Sequence, residues 1–313
     1  MSPATETASA SPATPAQSAG IVVVDTVLTY EGAAAAGTGI VLTSSGEILT
    51  NNHVVDGATS ISVTVISTGD SYTAHVVGTD ATKDIAVLQL EGATGLKTAT
   101  LDGTSVVAVS DAVTAVGNAG GTGSLTSAAG TVTSLGQTIT ASGPSGNNPE
   151  TLKGLIETDA NVISGDSGGP LYDTAGEVIG VDTAASQGSA TVTGYAIPIA
   201  TALDIATQIE SGVKTDQITI GYPAFLGVAI GQSAGITDGA PVSGVIRGTP
   251  AESAGLVAGD TITTVDGTAI TSGSQLSYVL GSHDPGDSVA ISWTDAAGAA
   301  HSATGTLIEG AAN

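Results

Sequence analysis

From about residue 20 onward, short apolar runs alternate with Gly, Ser and Asp clusters, the pattern of strands joined by tight turns. Runs rich in Val, Ile, Leu and Thr predict strands at 21–30, 39–42, 61–66, 75–79, 85–90, 113–116 and 131–135. Further strands are predicted at 155–158, 170–172, 178–181 and 195–198. About a dozen strands at this spacing suit two packed antiparallel barrels. At 199–211 the period changes: Ala202, Ile205, Ala206 and Ile209 recur at helical spacing and predict a helix. The barrels and this helix fill residues 20–213. Residues 214–222 read as a linker, and 223–309 as a second, smaller module with a helix over 272–280 and a strand over 289–293. The last four residues, 310–313, read as a tail. Residues 1–19 are an Ala/Thr/Ser/Pro tract, the composition of a flexible linker.

Composition narrows the class. Hydrophobic residues make up 41% of the chain but aromatics only 3%, so the cores must be built from Val, Ile, Leu and Ala. There is no cysteine, so the fold stands on packing without disulfides. Acidic residues number 29 against 5 basic ones, a formal net charge of −24. Lys83, Lys97, Lys153, Lys214 and Arg247 are too few and too scattered for a phosphate-tracking patch, which excludes nucleic acid as a partner. The acids do not follow a calcium-loop spacing, and His75, His283 and His301 have no partner at metal-ligand spacing. Neither a metal nor a cofactor is expected. No apolar window is long enough to cross a membrane as a helix, and no signal-peptide pattern follows Met1. The expectation is that a signal peptide or membrane anchor lies upstream of this sequence.

The candidate chemistry begins at Gly165-Asp166-Ser167-Gly168-Gly169-Pro170. Glycines on both sides of a serine allow backbone angles that a Cβ forbids, so successive N–H groups can converge beside the hydroxyl. Such a cup of donors stabilises the oxyanion of acyl transfer. A base and an orienting acid are also present. His53 lies in Thr50-Asn51-Asn52-His53-Val54, and Asp84 precedes the apolar strand Ile85-Ala86-Val87-Leu88. The order His, Asp, Ser is that of the chymotrypsin-type triad. Together the three segments resemble the trypsin-like serine proteases, and more closely their HtrA/Deg branch. In the smaller module, Phe225-Leu226-Gly227-Val228 is similar to the carboxylate-binding loop of PDZ domains. Thr249-Pro250-Ala251, Ala254-Gly255-Leu256 and Gly259-Asp260 follow in the order of the circularly permuted bacterial PDZ arrangement.

The resemblance implies a mostly β fold: a chymotrypsin-like double β-barrel followed by a permuted PDZ domain. It implies a serine endopeptidase of HtrA type that degrades unfolded extracytoplasmic proteins. His53, Asp84 and Ser167 are then the catalytic residues, and Gly165, Asp166 and Ser167 frame the oxyanion hole. Asn161, Val162, Ser164 and Ile197 stand where the primary specificity pocket is expected. An uncharged Asn161 with apolar neighbours predicts cleavage after small apolar residues. In the PDZ module, Phe225, Leu226, Gly227, Val228, Leu276 and Leu280 are expected to bind hydrophobic C-terminal peptides. Proteases of this type assemble as trimers through aromatic residues near the N-terminus. Residues 1–29 contain no Phe, Tyr or Trp, which removes that basis for a trimer and leaves homo-oligomerisation open. A chaperone-like binder of unfolded chains, using the same cleft without hydrolysis, is the alternative reading. The Gly/Ser-rich loops 117–124 and 141–149 are expected to be the adjustable parts of the site.

Overall fold

The computed structural model describes residues 10–141, 150–186, 193–231 and 239–312. The chain divides into one unit of residues 1–221 with 312–313, and a second of residues 222–311. The larger unit opens with β1 (Ser11–Pro12), β2 (Ile21–Leu28), β3 (Ala33–Val41) and β4 (Glu47–Thr50). A one-turn helix α1 (Asn52–Val55) leads to β5 (Ser60–Val65), β6 (Asp70–Asp80) and β7 (Ile85–Leu90). Strands pair in the order β6-β5-β2-β3-β4-β7, and β6 pairs again with β7, closing an antiparallel barrel. Closure pairs most of the strand edges within the barrel.

The second barrel is built from β8 (Ala112–Gly117), β9 (Thr126–Ala141), β10 (Glu150–Thr158), β11 (Pro170–Tyr172), β12 (Val178–Ser186) and β13 (Thr193–Pro198). Its order is β9-β10-β13-β12-β11-β8, closed by β8 on β9. Helix α2 (Ile199–Glu210) follows and buries Ile199, Ala202, Ile205, Ala206 and Ile209, the face its periodicity predicts. One apolar cluster runs from Ile21, Ile40 and Leu49 through Val116, Leu155 and Val181 to that face of α2. A second, around Val113, Val132 and Leu171, fills the far side of the second barrel. Aliphatic side chains do almost all of this packing, as the scarcity of aromatics requires.

Three segments read as linker or tail are built into this unit. Pro12 and Ser11 pair with Thr126 and Ser127 of β9, and the Ala13 amide donates to the Leu125 carbonyl at 3.0 Å. Ser18 is buried, and the Tyr172 hydroxyl donates to the Gln17 carbonyl at 3.1 Å. Residues 10–19 are therefore part of the second barrel, while 1–9 lie outside the described residues. Within 214–222, β14 (Ile218–Ile220) adds a strand to β6 at Gly78–Asp80. At the C-terminus, Ala312 is buried and exchanges backbone hydrogen bonds with Gly57 and Ala58 at 2.8 and 2.9 Å. In 10–19 and at Ala312 backbone pairing of small residues does this work and gives no apolar signal, whereas β14 also buries Ile218 in the main apolar cluster, in a run of three residues too short to stand out as a strand.

The smaller unit contains β15 (Ala224–Phe225), β16 (Val228–Ile230), β17 (Ala240–Val245), helix α3 (Pro250–Ala254), β18 (Thr261–Val265) and β19 (Thr268–Ala269). Helix α4 (Gly273–Leu280), β20 (Ser288–Thr294), β21 (Ala300–Thr306) and β22 (Ile308–Glu309) complete it. The sheet order is β16-β17-β18-β20-β21, and β15 pairs with β22, so the first and last strands are neighbours. That adjacency of the ends suits a permuted PDZ fold. Its core gathers Leu226, Val242, Leu256, Ile262, Leu276, Leu280, Ile291 and Trp293.

Candidate active site

Each of the three candidate residues is held by a different device. His53 sits on α1, directly after β4, with Asn51 at the helix N-cap. Asn51 donates its side-chain amide to the Asp84 carbonyl at 2.8 Å, tying the two segments together. Asp84 ends a 3-10 turn (Ala81–Lys83) in the left-handed region, φ 55°, which is uncommon for a residue with a Cβ. The turn is fixed by the Asp80 carboxylate, which accepts from Thr82 Oγ1 at 2.7 Å and from the Lys83 amide at 3.1 Å.

The Asp84 carboxylate is almost wholly buried and fully used. Oδ1 accepts from the His53 backbone amide at 3.0 Å, and Oδ2 lies 2.9 Å from His53 Nδ1. Thr183 Oγ1 donates to Oδ2 as well. A proton on Nδ1 satisfies this pair, which leaves Nε2 of the neutral ring as an acceptor.

Ser167 lies in the loop between β10 and β11. Gly165 has φ +97°, and a Cβ there would stand 2.2 Å from the Asn118 carbonyl oxygen. At Gly168, φ +82°, a Cβ would stand 2.1 Å from the Thr38 carbonyl oxygen. No other residue fits either position. Thr38 of β3 clamps the loop: its Oγ1 donates to the Gly165 carbonyl and its amide to the Ser167 carbonyl, both at 2.8 Å. The Ser167 hydroxyl donates to the Thr183 carbonyl at 3.2 Å. Ser167, His53, Val54, Ser164 and Gly165 line one cleft of about 510 Å³, together with Gly121 from the expected adjustable loop 117–124. The other such loop falls at 142–149, outside the described residues.

Among the described residues, the amides of Gly165 and Ser167 donate to no protein group. The Asp166 amide between them differs, because it donates to the Ile163 carbonyl at 3.0 Å. Asp166 therefore leaves the expected set of three oxyanion donors. Its carboxylate accepts from the Ile163 amide at 2.9 Å through Oδ2, while Oδ1 is buried without a partner. Burial pushes its pKa up to about 6, against the smaller opposing effect of the Ile163 amide. Behind it, Asp182 is fully buried with neither carboxylate oxygen hydrogen-bonded. Burial, and then the neighbouring Asp166 charge, push its carboxyl far above the usual range.

The other expected site residues divide. Ser164 lines the cleft and Asn161 is half-buried. Val162 and Ile197 do not line it: both are buried in the apolar clusters of the larger unit, Val162 in the second barrel. Of the apolar residues near the loop, Val162 and Ile197 pack into the barrel cores, whereas Ile163 is exposed. In the smaller unit, Phe225 and Val228 are half-buried beside the loop, whereas Leu226, Leu276 and Leu280 belong to the core. The large α4 side chain that faces solvent is Tyr278. The Leu226 and Gly227 amides donate to no described group, and a Cβ on Gly227, φ +90°, would strike Thr249. Thr183 has no signature in the sequence, because a threonine after a predicted strand carries no signal of a distant aspartate.

Comparison with known proteins fits this geometry. Residues 37–181 match the trypsin-like peptidase domain and residues 224–294 the PDZ domain. An HtrA-type protease, AlgW, solved with a tripeptide, has 28% identity and a TM-score of 0.54 over 95% of this chain and 97% of that one. The chain belongs to the HtrA-type serine proteases. It is 36% identical over 257 residues to HhoA of Synechocystis sp., covering 78% of this chain and 63% of HhoA. To DegQ of Escherichia coli, a periplasmic pH-dependent serine endoprotease, it is 34% identical over 261 residues, covering 82% of this chain and 55% of DegQ. The chain thus spans less than two thirds of these HtrA-type relatives.

Proposed function

We propose that this chain is a serine endopeptidase that cuts unfolded proteins outside the cytoplasm. The observation that carries the reading is the buried Asp84 carboxylate on His53 Nδ1, with His53 and Ser167 facing one cleft. His53 Nε2 takes the hydroxyl proton as Ser167 Oγ attacks a peptide carbonyl, then gives it to the leaving amine. Asp84 keeps the ring in the required tautomer and stabilises its cation. The unengaged amides of Gly165 and Ser167 receive the oxyanion, each donor being worth about 10²–10³-fold in rate. The second half-reaction runs the same groups with water as nucleophile.

The extracytoplasmic setting is supported by the periplasmic relatives. Cleavage after small uncharged residues is supported by Ser164, which shares the cleft with Ser167, and by the absence of any lysine or arginine among the described residues lining it. The smaller unit is the peptide sensor in this reading. Its Leu226 and Gly227 amides are open to a terminal carboxylate, and the strand after them offers backbone groups for β-augmentation.

Hydrolysis of casein by the full chain tests the proposal. Ser167→Ala lowers turnover by about 10⁴-fold or more. Hydrolysis that survives this substitution would refute it. No hydrolysis by either protein, with suppression of aggregation by both, would favour the binder.

A further inference from the structure

The cleft that holds His53 and Ser167 extends onto the first barrel, where Asp25 of β2 and Ala34, Ala35 and Ala36 of β3 form its wall. Asp25 stands opposite Ala36 in the β2–β3 register. Ile21 and Val23, on the same face of β2 by alternation, are buried in the main apolar cluster. At Asp25 that face reaches the cleft and becomes exposed. Aspartate is among the poorest strand formers, and this one sits in mid-strand. Among the described residues no hydrogen bond or ion pair reaches its carboxylate, and no lysine or arginine lines the cleft. Partial burial pushes its carboxyl above the ordinary range. A partly desolvated and unpaired carboxylate gains more from an arriving cation than a fully hydrated one does.

The position of the wall relates it to the substrate. No described β12 side chain lines the cleft, although the Thr183 carbonyl touches Ser167. The wall therefore belongs to the His53–Val54 flank of Ser167 rather than to the β12 flank. His53 delivers its proton to the leaving amine, so the leaving-group half of the substrate runs along that flank. We propose that Asp25 is a specificity-determining residue that selects a lysine or arginine side chain at the first or second position on the leaving-group side of the scissile bond. Ala34 and Ala36, which share the Asp25 face of the β2–β3 pair by alternation, keep the wall low, so a long aliphatic stem lies across their methyl groups and brings its charged head to Asp25. The inference rests on the reading of Ser167 and His53 as the catalytic pair.

The test uses the full chain carrying Ser167→Ala, which binds peptides without turnover. Three fluorescent peptides differ only in Lys, Ala or Glu at the first two leaving-group positions, with amidated C-termini to avoid carboxylate capture by the smaller unit. In anisotropy titrations the Lys peptide binds about fivefold more tightly than the Ala peptide, and the Glu peptide more weakly than either. Adding Asp25→Asn brings the three within about twofold, and Asp25→Lys reverses their order. Equal affinities without the second substitution, or a lysine preference that survives Asp25→Asn, would overturn the assignment. Cleavage of the Ala peptide by the Ser167-containing chain is followed in parallel. Its absence refutes the catalytic reading, while the binding ratios still decide Asp25.

Discussion

Thr183 shows how much of the site depends on one hydroxyl. Its Oγ1 donates to the buried Asp84 carboxylate, and its carbonyl receives the Ser167 hydroxyl. Thr183→Val keeps the shape and removes the donor, leaving a buried carboxylate one bond short, at a cost of about 1.5–3 kcal/mol. The expected result is a fall of about tenfold or more in kcat/KM that Thr183→Ser restores. Equal loss in both variants would make the hydroxyl irrelevant. Asp182 makes the opposite case, a polar group whose burial nothing offsets. Its folded pKa is raised, so the native state holds a proton that the unfolded chain has lost above about pH 4. This contribution to stability is complete below the unfolded pKa and is lost as pH rises through the folded one; Asp166 behaves likewise up to about 6. Asp182→Asn, neutral at every pH, therefore gains on the wild type as pH rises. The Tm difference is expected to be small near pH 4 and about +3 °C or more at pH 8. A difference independent of pH would mean that Asp182 is paired or hydrated in the folded protein.

At the level of elements, the sequence speaks where side chains are apolar and is silent where backbone alone does the pairing. Helix α2 is legible because Ala202, Ile205, Ala206 and Ile209 form a buried stripe. Ile85–Leu90 is legible because nearly all of its positions are buried. The β9–β10 hairpin is not. It extends well past 131–135 through Gln137, Thr138 and Thr140, which pair by backbone, while Leu135 remains exposed. The segment 10–19 is hidden for the same reason. His53, Asp84 and Ser167 could be picked out because each lies in a short motif with its own backbone logic. Thr183 and Asp25 could not, since only the folded barrels bring Thr183 to Asp84 and Ser167, and Asp25 to the cleft. Residues 10–19 also supply a prediction. Their removal breaks the Ala13–Leu125 and Gln17–Tyr172 bonds and strands a buried hydroxyl whose pKa is already raised to about 12. Deleting residues 1–19 is expected to lower Tm by about 5 °C. An unchanged Tm would show the segment to be dispensable.

For the whole molecule, the proposed function divides the work between the two units: chemistry in the double barrel, capture of peptide carboxylates at the Leu226–Gly227 loop of the smaller one. The closed barrels need neither disulfides nor aromatic cores, because strand closure and aliphatic packing suffice. The net charge of −24 leaves the protein few cations of its own, so a basic substrate side chain meets little competition at Asp25. The proposed hydrolysis depends on Ser167 being the activated nucleophile. The most direct test is a fluorophosphonate reaction on the full chain, followed by intact mass and peptide mapping. One adduct per chain on Ser167 is expected, with labelling and casein hydrolysis lost together in Ser167→Ala and in His53→Ala. An adduct on another serine, or hydrolysis that persists when Ser167 is absent, would contradict it.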